Sequence, residues 1–147
     1  MDNPQIQIIL QLLLAVVLGG VVGLEREYKG KGAGLQTYSL VTLGSCLFTI
    51  IGCELFYFFM GSPGISFDPS RIVLAVATGV GFLGAGVIIY RQAHIEGLTT
   101  AAGLWTVAAI GVAVGMNLYL LAFTTTLLAS IILVVFGELE RKFFKKD

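Results

Sequence analysis

Five apolar runs, each long enough to cross a bilayer, constrain this chain more than any other feature. They cover about Ile6 to Leu24, Leu35 to Phe59, Ile72 to Tyr90, Gly97 to Gly115 and Leu118 to Phe136. A helix rises about 1.5 Å per residue, so about 20 residues cross a hydrocarbon core of roughly 30 Å. The runs lack the polar residue every two to four positions that a water-facing surface requires. Only 12% of the residues are charged, where a soluble domain carries roughly 25%. The expected fold is therefore an all-α integral membrane bundle of five transmembrane helices. It forms one domain over residues 1–147, with a short basic tail over 137–147. The first run has no Lys or Arg before it and is too long for the apolar core of a secretory signal, so it reads as a retained span.

The polar breaks between the runs set an orientation. Arg26, Lys29 and Lys31 lie between the first and second runs, Arg91 between the third and fourth, and Arg141, Lys142, Lys145 and Lys146 after the fifth. Of the nine basic residues, only Arg71 falls on the opposite side. Basic loops stay in the cytoplasm. The N-terminus is thus expected outside and the C-terminus inside, in a bacterial or archaeal inner membrane. The tail GELERKFFKKD suits an interfacial helix end that attracts anionic lipid, or else a docking site for a protein. No continuous basic face suggests nucleic acid. Cys46 and Cys53 lie in one run, about 10 Å apart along a helix, too far for a disulfide within it.

The chain holds 19 glycines. In lipid, small residues let backbones approach closely, because water does not push helices together. Gly19 and Gly23 form one such pair, and Gly111 and Gly115 another. The third run adds Gly79, Gly81, Gly84 and Gly86 among Ala75, Ala77 and Ala85. A helix smooth on so many sides is expected at the bundle centre. The small residues read as packing surfaces, within one subunit or between two subunits, and the alternative is an unwound backbone lining an ion or solute path. Trp105 falls near mid-span and is expected to anchor packing.

Polar residues within the bilayer need a reason. In SFDPSR, Asp68 reads as an N-cap and Pro69 as the first helical residue. Arg71 follows one turn in, with Asp68 or Glu54 to compensate its charge. The group is either a structural ion pair or an external site for a cation or an anionic ligand. Glu25, Arg26 and Glu27 end the first run, as an interfacial pair or as a gate or partner-binding element. Thr99 and Thr100 open the fourth run and can bond to amides or neighbouring helices. His94 is the lone histidine, with a loop position or a pH-sensing role open to it. No hydrolase, nucleotide-binding or zinc-protease motif is present, so no enzyme is expected. No cofactor is expected either. Magnesium is the ion that carboxylates with water and carbonyl oxygens would suit.

Three blocks, taken together, are specific. They are GGVVGLERE (19–27) with AGLQTYSLVTLGSCLF (33–48), DPSRIVLAVATGVGFLGAGVII (68–89), and GLTTAAGLWTVAAIGVAVGMNLY (97–119). In order and spacing they resemble the membrane domain of the MgtC/SapB family of bacterial inner-membrane proteins. The resemblance implies a five-helix membrane domain, growth when magnesium is scarce and, for some members, survival inside host cells. Many members carry a soluble C-terminal domain, whereas this sequence stops at Asp147. Glu25, Arg26, Glu27, Asp68, Pro69, Arg71, the four glycines of the third run, Thr99, Thr100 and Trp105 match the family motifs. The expected function is magnesium or ion homeostasis, as a membrane-embedded regulator acting through helix–helix contacts. The alternative is an oligomeric transporter or channel for magnesium or another small solute. The expected partners are the lipid bilayer, further copies of the chain and a second membrane protein, not nucleic acid.

Overall fold

A computed structural model describes residues 3–62, 68–91 and 94–143, with the side chains of Arg91 and His94 outside that set. The helices are α1 (Pro4–Tyr28), α2 (Leu35–Phe59), α3 (Ser70–Val87), α4 (Leu98–Gly115), α5 (Tyr119–Ile131) and α6 (Gly137–Phe143). A π-helical segment, Ile132–Phe136, joins α5 to α6, so Tyr119–Phe143 makes one continuous apolar helix. Five helices are thus long and apolar enough to span a membrane. The basic residues Lys145 and Lys146 lie outside the described part.

The third apolar run divides. Helix α3 stops at Val87, and Ile89–Arg91 (β1) pairs antiparallel with His94–Glu96 (β2). Gly97 closes this hairpin at φ 90°, where an added Cβ would run into the carbonyl of Val87. Only glycine tolerates both conditions.

Helix α4 occupies the centre, touching α1, α2, α3 and α5. Its glycines face α2. A methyl group at Gly111 would lie 2.8 Å from Ser45 Cβ, and one at Gly115 the same distance from the Cys46 carbonyl oxygen. Gly19 of α1 meets α2 from the other side, 2.8 Å from the Tyr38 carbonyl oxygen by the same measure. The α2 residues in these two seams are Tyr38, Thr42, Ser45, Cys46 and Thr49, all buried. The hydroxyls of Thr42 and Thr49 donate back to the Tyr38 and Ser45 carbonyls, at 2.8 and 2.7 Å, so burial leaves neither unpaired. A second polar knot ties the N-terminal half of α1 to the end of α4. Buried Gln11 donates to the Val114 carbonyl at 2.9 Å, and Asn117, at φ 61°, accepts from Gln7 and Gln11.

The expectation of a central α3 is overturned. Only 17% of α3 is buried, against 56% of α4. A Cβ added at Gly84 would lie at an ordinary 3.5 Å from the Ala101 Cβ, but one at Gly79, Gly81 or Gly86 would meet nothing within 4 Å. Their small size is not spent on contacts within this chain. Trp105 likewise departs from its expected role as a packing anchor: it is 56% exposed, on the outward face of α4.

Candidate functional site

The polar residues singled out in the sequence gather at opposite ends of the bundle. Where α1 ends and α2 and α4 begin, Arg26 and Glu25 are nearly enclosed, with side chains 5% and 11% exposed. The Arg26 Nε donates to the Glu25 carboxylate. The other carboxylate oxygen of Glu25 pairs with Lys29 Nζ at 2.7 Å, one helical turn on. Lys29 also reaches the Leu133 carbonyl at 3.5 Å and Glu138 at 4.0 Å, and Glu138 pairs in turn with Arg141. The cluster therefore fastens the end of α1 to the π segment and α6. The carbonyl that Lys29 reaches belongs to the π segment itself.

Glu27 acts on another element. Its carboxylate accepts the Leu35 backbone N–H at 3.0 Å, capping α2, whose N-cap residue Gly34 has no side chain to do so. A carboxylate at that end also meets the positive pole of the helix. Tyr38, fully buried one turn later, donates its hydroxyl to the Thr100 carbonyl at 3.1 Å and lays its ring against Gly103. Thr100 is buried beside it, whereas Thr99 faces outward. Sequence reasoning did not single out Tyr38. The available signal was a phenol near the start of a span and in register with a glycine on a neighbouring helix.

At the other end, α3 starts at Ser70, one residue later than expected. Asp68 still caps it, accepting the Ser70 N–H at 2.9 Å and the Ser70 hydroxyl at 2.7 Å. These Ser70 bonds, with Arg71 nearby, hold the Asp68 carboxyl below its usual range. Among the described residues, however, no ion pair joins Arg71 to Asp68 or Glu54. Glu54 instead sits by a shallow apolar hollow with Ile8, Leu47 and Phe58. No three His, Cys, Asp or Glu side chains converge among the described residues. Asp68 and Arg71 stand at one end of a groove of about 910 Å³ between α2 and α3, walled mainly by apolar side chains.

Comparison with known proteins gives a consistent result. The chain is 41% identical to YhiD of Escherichia coli (strain K12) over 141 residues, 96% of this chain and 66% of YhiD. It is 41% identical to SapB of Bacillus subtilis (strain 168), over 82% of this chain and 52% of SapB. It is 38% identical to MgtC of Salmonella typhimurium (strain LT2), over 91% of this chain and 52% of MgtC. The chain thus spans about two thirds of the first of these relatives and about half of the others. No solved structure matches it. The family model for MgtC covers residues 12–142, and the chain belongs to the MgtC family.

Proposed function

We propose that this protein serves magnesium and ion homeostasis in a bacterial inner membrane as a membrane-embedded regulator. It binds another membrane protein, or further copies of itself, through the outward small-residue face of α3. One observation supports this reading above the others: the glycines of α1 and α4 are filled by α2, whereas Gly81, on the side of α3 away from α2, meets open space. On the side of α3 away from α2, Ala77, Gly81 and Ala85 fall four residues apart, the spacing at which membrane helices approach one another closely. The polar groups inside the bundle bond to one another, which suits a scaffold. No catalytic role is part of this reading.

The second reading is an oligomeric path for magnesium. The name of YhiD, which carries a provisional magnesium-transporter label, favours it. Purified protein in liposomes under a magnesium gradient separates the two. The regulator reading expects no flux above empty liposomes. Flux that disappears in a folded Asp68→Ala variant would overturn it in favour of transport.

A further inference from the structure

The groove between α2 and α3 has an unusual construction. The two helices meet where Ile72 lies on Gly52, then part. Beyond that contact, a Cβ at Gly44 on α2 or at Gly79 on α3 would meet nothing within 4 Å, although both residues line the groove. Apart from Thr37 and Ser45, the remaining walls are hydrocarbon, including Phe48, Leu55, Val76 and Leu83. A volume of about 910 Å³ lies at the upper end of the range for small-molecule sites. A bilayer does not leave such a gap empty, because unfilled apolar walls forfeit their dispersion contacts.

The charges sit at one end only. Asp68 and Arg71 both line the groove where α3 begins, at the polar boundary of the span. Both are exposed, and neither has an ion-pair partner among the described residues. Asp68 gives one carboxylate oxygen to Ser70, which leaves the other available. A hydrocarbon slot with one anion and one cation at its mouth complements an amphiphile with an apolar tail and a head bearing both charges.

We propose that this groove is a phospholipid site selective for an amine-bearing zwitterionic headgroup. The phosphate lies on Arg71, the ammonium on Asp68, and one acyl chain runs past Ile72 into the space between Gly44 and Gly79. Arginine suits phosphate because its planar fork offers several donors. Asp68 supplies the selectivity, since it attracts an ammonium and repels a headgroup with only negative charge. Gly79 lies eight residues beyond Arg71, about 12 Å along the helix. That is within the roughly 15 Å of one leaflet's hydrocarbon. The site is independent of whatever binds the far side of α3, because residues 79 and 81 point to opposite sides of the helix.

Native mass spectrometry of delipidated protein in detergent tests this, using dioleoyl phosphatidylethanolamine and phosphatidylglycerol in equal amounts. The expected result is one retained phosphatidylethanolamine, preferred over phosphatidylglycerol. Arg71→Gln should lower its occupancy about tenfold, as for loss of a charged hydrogen bond. Asp68→Asn keeps an acceptor for Ser70 and should abolish the preference without abolishing binding. Gly79→Leu should reduce retention of both lipids, with helix content by circular dichroism unchanged in every variant. Equal retention by the native protein and Arg71→Gln would overturn the proposal, as would a native protein no more selective than Asp68→Asn. A disulfide between copies carrying Gly79→Cys, with Cys46 and Cys53 replaced by alanine, would also overturn it by making the groove an interface between copies.

Discussion

Helices α3 and α4 have the same length, 18 residues, and the same overall hydropathy, yet more than half of α4 is buried and less than a fifth of α3. The difference lies in where the small residues point. In α4, Gly103, Gly111 and Gly115 fall on one face, and α2 fills it with Tyr38, Thr42, Ser45 and Thr49. In α3, the glycines at 79, 81, 84 and 86 are spread around the helix, and only Gly84 finds a neighbour within 4 Å. Small residues permit close approach but do not cause it. A complementary face must be opposite, and within this chain α3 has little of one.

The contrast is sharpest where a substitution tests enclosure. Glu25→Gln removes one partner from the enclosed Arg26–Glu25–Lys29 group, and a nearly buried charge left alone costs about 3–5 kcal/mol. Unfolding in mild detergent should show that loss, while the same assay on Asp68→Asn at the open end should show little. Gly111→Leu drives a side chain into the backbone and side chains of Thr42, Ser45 and Cys46 and should cost about 3 kcal/mol, the upper part of the overpacking range. Gly81→Leu, the matching change on α3, should stay within about 0.5 kcal/mol of the native protein, because its side chain enters open space. Equal losses at positions 111 and 81 would erase the distinction.

Smaller effects refine the picture. Tyr38→Phe removes the bond to the Thr100 carbonyl while keeping the ring against Gly103, for a loss of about 1 kcal/mol. The smallest effect is on pH dependence. The Asp68 carboxyl is depressed in the folded protein, so what it adds to stability is present above its unfolded value and lost as pH falls through the folded one. The stability difference between the native protein and Asp68→Asn should therefore be flat from pH 8 to 5 and shrink below about pH 4. A difference that changes near neutrality would point to another group.

The number of spans was legible in the sequence because chain length and bilayer thickness leave little freedom. The pairs Gly19–Gly23 and Gly111–Gly115 were legible as contact candidates from their spacing, and the cap at Asp68 from its chemistry. The inward and outward faces were not, because lipid and bundle interior are equally apolar and hydropathy does not separate them. The outward position of Trp105 and the peripheral place of α3 stay hidden for that reason. The hairpin at Ile89–Glu96 was hidden because Ile88, Ile89 and Tyr90 continue the apolar run, although the helix has already ended at Val87. The ties of Tyr38 to Thr100 and of Lys29 to Leu133 join residues 62 and 104 positions apart, a relation that no local pattern carries.

The most direct test of the central claim is photocrosslinking in native membranes, with a crosslinking residue placed at Gly81 on α3 or, for comparison, at Leu104 on α4. The account predicts a defined adduct from position 81, to a second membrane protein or another copy of the chain, and none from position 104, which is buried against its own helices. Adducts to lipid alone from position 81, or equal protein adducts from both positions, would contradict it.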